Sequence, residues 1–190
     1  MAQATTALKP FRQVDENDCI NGFFTFGSGV PATAGLLVKV NSGWLSDQHS
    51  AMLGAPGAAY GNTVSQRWGA PATVVPVGTS GDTVLGMLLY EVRETDENGE
   101  KLIYKPSKAY SNNWIISGQG VNIVTHGLFL YSGLKNATVT AGAPLYAEFD
   151  GGICTSGSPT AVSPSTATRV GTALGPKDGN GYVLIKLDIP

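Results

Sequence analysis

Residues 121–149 read VNIVTHGLFLYSGLKNATVTAGAPLYAEF, and the fold class turns on the short apolar runs inside them, Val121–Val124, Gly127–Tyr131 and Pro144–Phe149. Val, Ile, Thr, Phe and Tyr dominate the runs, and segments of this length suit strands better than helices. A Ser132-Gly133 break and an Ala141-Gly142-Ala143-Pro144 corner separate them. Apart from the tyrosines, the ionisable residues of the stretch up to Glu148 are His126, Lys135 and Glu148, and none is read as placed for chemistry. The stretch reads as the centre of a β-barrel or sandwich.

Working outward, the closing segment Tyr182–Ile189 alternates cleanly. Leu184, Lys186 and Asp188 point one way, Ile185, Leu187 and Ile189 the other. A strand this apolar belongs inside the core sheet. Before the central block, Leu36–Val40 reads as a strand. Thr73–Val77 reads as another, placed at an edge or a bulge by Pro76. Thr83–Arg93 is predicted to turn at Asn98-Gly99 and return as a strand over Lys101–Tyr104. Acidic residues concentrate around that turn, in Glu91, Glu94, Asp96, Glu97 and Glu100, and read as a solvated tip. Asp178-Gly179-Asn180-Gly181 reads as a turn rather than a calcium loop, because no bidentate Glu closes it. No helix of ordinary length is legible.

The composition agrees. Charged residues make up 14% of the 190, against about 25% in an ordinary soluble domain. Gly (25) and Pro (11) are plentiful, as a chain of many turns requires. The expectation is one all-β domain over residues 21–190, a single β-barrel or β-sandwich with long loops. An extended N-terminal arm over residues 1–20 precedes it, without a core of its own and ordered on a partner. Phe11 and Val14 are its candidate anchors. The Gly/Ala/Pro-rich stretch from Leu45 to Trp68 reads as a long loop lying over a neighbour, with Met52, Leu53, Tyr60 and Trp68 as candidate interface residues.

Several function classes are disfavoured. A net charge of −2 gives no electrostatic footprint for nucleic acid. No window reaches the ~20 apolar residues of a membrane span, and residues 1–10 lack the pattern of a secretory signal. Cys19 and Cys154 read as free structural thiols, with no spacing that suits zinc. A Ser-His-Asp set drawn from Ser132 or Ser156, His126 and Asp150 lacks a nucleophile elbow. Glu148 and Asp150 share a strand face, as an acid pair for glycoside hydrolysis would, but such pairs are common on solvated faces. Neither a catalytic residue nor a cofactor is expected.

Gln119–Val124, Gly142-Ala143-Pro144-Leu145-Tyr146, Arg169–Leu174 and the final strand together resemble the head decoration, or cement, proteins of tailed bacteriophages. In that family a Gly-x-Pro-Leu-Tyr corner, a Ser/Thr/Gly loop and a closing Arg-Val-Gly-x-Ala strand pair recur in a small β-barrel. The resemblance covers residues 119–189. It implies a virion protein on the capsid exterior, assembled in the host cytoplasm and bracing contacts between major capsid proteins as a homo-oligomer, dimer or trimer. No catalytic residues come with it. Two alternatives stand beside it: a tail, baseplate or head-fibre adaptor, and a carbohydrate-binding β-sandwich with Trp44, Trp68 or Trp114 as stacking platforms.

Overall fold

The computed structural model describes residues 6–11, 19–24, 32–42, 73–78, 82–117, 119–148, 150–155 and 168–189. The alternation of Val183–Asp188 builds the middle of the larger sheet. This strand, β13, buries Val183, Ile185 and Leu187 and turns Lys186 and Asp188 outward. It pairs antiparallel on one side with β9 (His126–Tyr131) along six residue pairs, and on the other with β12 (Arg169–Ala173). The sheet continues through β10 (Pro144–Ala147) to β11 (Ile153–Thr155), and ends beyond β9 at β1 (Leu8–Pro10), giving the order β1-β9-β13-β12-β10-β11.

Five further strands form the second sheet: β2 (Cys19–Phe24), β4 (Thr73–Pro76), β3 (Leu37–Ser42), β5 (Gly86–Leu88) and β8 (Gly120–Val124). Its ladder returns on itself through a short parallel contact between β2 and β4, Phe23 opposite Thr73 and Phe24 opposite Val74. Strands β8 and β9 are consecutive in sequence yet lie in different sheets, and the chain crosses between them at Thr125. The Thr125 carbonyl accepts a hydrogen bond from Ile189 N–H at 3.1 Å.

Period-two alternation divides the second sheet's side chains between two cores. Leu37, Met87 and Val124 join Phe129, Tyr131, Leu145, Ile185 and Leu187 in a core shared with the larger sheet. Their neighbours Leu36, Val38, Leu88 and Ile123 face a second cluster with Ala32, Val74, Val92 and Val121. Strands buried on both faces read as continuous apolar runs, which is why Leu36-Leu37-Val38 shows no polar alternation. The protein is all-β, with two sheets packed face to face in a sandwich-like arrangement.

Three expectations need adjusting. The first concerns the arm. Leu8–Pro10 pairs with Phe129–Tyr131 of its own chain, and Phe11 N–H donates to Leu128 O at 3.0 Å. Leu8 is buried, and β2 begins at Cys19. One apolar residue and an open sheet edge suffice to dock a three-residue strand, although the segment has no core of its own.

The second concerns the hairpin. Only Thr95 and Lys101 bridge the Asn98-Gly99 turn. Leu102–Tyr104 is a single 3-10 turn, followed by α1 (Pro106–Ser111) with Pro at its start. Leu102 is buried while Ile103 and Tyr104 face out, a spacing that suits a helical turn and not a strand. Strand β6 (Glu91–Arg93) instead pairs in parallel with β7 (Trp114–Ile116).

The third concerns Pro76. Its strand β4 is not a sheet edge: Pro76 pairs with Val38 of β3, and on the other side the described part of β2 pairs with Thr73 and Val74.

Candidate functional site: an exposed lobe and a Lys135 carboxylate cluster

Residues 94–113 leave the sheets as a lobe and return at β7. Leu102 and Ala109 anchor it; Ile103 (65% exposed), Tyr104 (81%) and Tyr110 (87%) point to solvent. Ion pairs brace it from within. Lys108 Nζ lies 2.8 Å from Asp96 Oδ2 and 2.7 Å from Glu97 Oε2. Lys105 pairs with Glu100, and Lys101 with Glu94 at 3.9 Å. Asp96 also caps the turn, its Oδ1 accepting N–H groups of Asn98 at 2.8 Å and Glu100 at 2.9 Å. The Lys108 hydrogen bond and these amides hold the Asp96 carboxyl down at about 2. Bonding to Asp96 and then Glu97 raises Lys108 above its ordinary value. The tip that reads as acidic in sequence is therefore largely neutralised by its own lysines, and among the exposed charged and polar side chains it sets Ile103, Tyr104 and Tyr110 in solvent.

At the lobe's base, Arg93 donates to Glu91 Oε1 at 2.6 Å and lies over the Trp114 ring, 4.2 Å from its centre. The guanidinium occupies one face of this tryptophan, so that face does not serve as an open sugar platform. Trp44 and Trp68 lie outside the described residues, as do the interface candidates Val14, Met52, Leu53, Tyr60 and Trp68. Of the candidates, Phe11 is described, about half exposed at the end of edge strand β1.

The second feature was missed in sequence. Lys135, after β9, reaches the β10–β11 turn, with Nζ 2.6 Å from Glu148 Oε2 and 2.5 Å from Asp150 Oδ2. Glu148 is buried, with its side chain 1% exposed, whereas Lys135 and Asp150 are partly open. Asp150 Oδ1 accepts Gly152 N–H at 3.1 Å. Desolvation pushes Asp150 up, but Lys135 and Gly152 outweigh it and hold the carboxyl below its usual value. Desolvation likewise pulls Lys135 down, and its bonds to Asp150 and Glu148 leave it raised. Close by, burial pushes the Cys154 thiol up to about 12, and its Sγ donates to Tyr146 O at 3.7 Å. A cleft of about 380 Å³ opens onto Lys135 and Asp150, lined also by Thr6, Thr33, Ser132 and Tyr131. Only spatial proximity across the sheet reveals this cluster, because Lys135 is far from both acids in sequence.

Among the described residues the candidate catalytic groups are not brought together, and Ser156 lies outside those residues. Ser132 Oγ accepts Ala7 N–H at 2.9 Å, and Asp150 is taken up by Lys135. His126 Nδ1 lies 2.9 Å from Thr125 Oγ1, while Nε2 lies 3.5 Å from Asp188, directly across the β9–β13 pair. Glu148 and Asp150 share one cation, so neither is held as an isolated acid. Asp178 closes its turn by accepting N–H groups of Asn180 at 2.9 Å and Tyr182 at 2.7 Å. Among the described residues, no cluster of three or more His, Cys, Asp or Glu suits a metal ion, and no helix is long and apolar enough to cross a membrane. No protein-family model matches the chain, and no curated protein matches it.

Proposed function

We propose that the chain is a non-enzymatic structural subunit of a bacteriophage virion, a decoration or cement protein that binds the outside of an icosahedral head and braces contacts between major capsid proteins as a homo-oligomer. One observation carries the binding role: the lobe sets Ile103, Tyr104 and Tyr110 in solvent on a scaffold fixed by Lys108, Asp96 and Glu97. Large apolar and aromatic side chains held in solvent are what interfaces are built around. The capsid assignment rests on the resemblance over residues 119–189, and the low charge of the whole chain fits a surface that spreads over neighbours. Modest contacts repeated by symmetry add up through avidity. Because the lobe's charges are spent on one another, its binding should tolerate salt better than a steered, ionic association.

The test is to omit the protein from heads, heat them and follow DNA release. Particles lacking it should leak at lower temperature, and adding it back should restore them. Equal release with and without it removes the cement reading and leaves the tail or head-fibre adaptor, which would use the same lobe. An Ile103→Ser, Tyr104→Ser, Tyr110→Ser variant that sediments with heads as fully as the parent would show that the lobe is not the contact.

A further inference from the structure

The Lys135 cluster has the parts of a self-made covalent cross-link. An amine sits 2.5 Å from a carboxylate oxygen, and a second, buried carboxylate touches the same amine at 2.6 Å. We infer that Lys135 and Asp150 condense to an intramolecular isopeptide bond, with Glu148 as the catalytic proton carrier.

The balance is simple. One proton moves from the Lys135 ammonium, by way of Glu148, to the Asp150 carboxylate, leaving a neutral amine facing a neutral carboxylic acid. The Nζ lone pair attacks Asp150 Cγ and an N–C bond forms. The tetrahedral adduct loses the Nζ proton to Glu148, which returns it to the departing hydroxyl. The C–O bond breaks, one water leaves and an amide remains. No oxidant, reductant or activated donor is needed. Gly152 N–H, 3.1 Å from Asp150 Oδ1, is placed to stabilise the oxygen that gains charge in the adduct. The cleft beside Lys135 and Asp150 gives the water a way out.

Two physical terms compete. Pairing holds Lys135 protonated and Asp150 ionised, so the neutral reacting pair is a minor form and the reaction is slow. Desolvation favours that neutral pair, and fixed geometry supplies an effective concentration of roughly 10⁵–10⁸ M for intramolecular attack. An amide, once formed, hydrolyses far more slowly than an ion pair opens. The bond would tie the segment after β9 to the β10–β11 turn, across the two strands β13 and β12 that separate β9 from β10 in the sheet. Neither cysteine is in a disulfide, so no other covalent staple is present among the described residues. This inference is independent of what the lobe binds.

Intact mass spectrometry of the folded full chain, followed over days of incubation, reads the reaction directly. The expected result is a species lighter by one water, with a branched tryptic peptide in which cleavage after Lys135 has failed and Lys135 is joined to Asp150. Lys135→Arg and Asp150→Ala should keep full mass. Asp150→Asn, which preserves the shape, should lose ammonia instead of water. Glu148→Gln should slow the mass change at least tenfold, and if this variant fails to fold, the Asp150→Asn mass still decides. A parent chain that keeps its full mass, or a water loss that maps away from Lys135 and Asp150, overturns the inference. Cross-linking as fast in folded Glu148→Gln as in the parent removes the role given to Glu148.

Discussion

The six-stranded sheet and the lobe of residues 94–113 solve opposite problems. Along β13 the sheet buries Val183, Ile185 and Leu187 completely. The lobe buries Leu102 and Ala109, holds its shape with Lys108, Asp96 and Glu97, and leaves its largest apolar side chains outside. Along β13 the sheet therefore derives its stability from apolar area, which contains no titrating group and is not weakened by charge screening. The lobe depends on ion pairs and turn caps, which contribute little at a surface but fix geometry. Core burial and exposed apolar side chains thus lie in different parts of the chain, so each can be perturbed with little effect on the other.

The largest effect should come from Leu187→Asp in the sheet, which places an unpaired carboxylate in the shared core. A loss of about 4 kcal/mol or more is expected, enough to unfold much of the population at moderate temperature. Thermal melting checks it, and a midpoint within a degree or two of the parent would mean that β13 is not the centre of the fold.

Gly171→Val comes next. Gly171 faces Leu187 in the β12–β13 ladder, and a Cβ there would meet the backbone carbonyl of Lys186. Relieving the clash requires the two strands to part, at a cost of about 1–3 kcal/mol. Denaturant unfolding should show a lower midpoint with an unchanged slope.

Acid should separate the two regions. Asp96 titrates at about 2 in the folded lobe against an ordinary 3.8. Its contribution is fully present above pH 3.8 and is lost as pH falls through about 2. Amide exchange in residues 94–113 should therefore quicken across that window while β13 amides stay protected. Lys108→Met should produce the same local opening at neutral pH. If β13 opens in step with the lobe, the two regions are one cooperative unit and the division fails.

The smallest effect on stability is expected from Tyr110→Ser, within about 0.5 kcal/mol, because the side chain is 87% exposed. A large drop in the melting temperature would mean that Tyr110 supports the lobe and is not held out for a partner.

Much of the architecture was determined by the sequence alone. Alternation in Tyr182–Ile189 and the short apolar runs of Val121–Phe149 specify strands through side-chain period and length, which are local properties. Composition likewise specified the all-β class. The turn at Asp178–Gly181 was legible because Asp and Gly carry their own backbone chemistry. Tertiary structure alone decided the rest. It put β8 and β9 in different sheets, since nothing in Val124-Thr125-His126 marks a crossing. It converted Lys101–Tyr104 from a returning strand to a 3-10 turn, because burial of Leu102 and the parallel β6–β7 pairing outweigh the hairpin signal of Asn98-Gly99. It also brought Lys135 onto Glu148 and Asp150. Period and propensity act between neighbours in the chain, whereas an ion pair is made by whichever residues the packed sheets leave side by side.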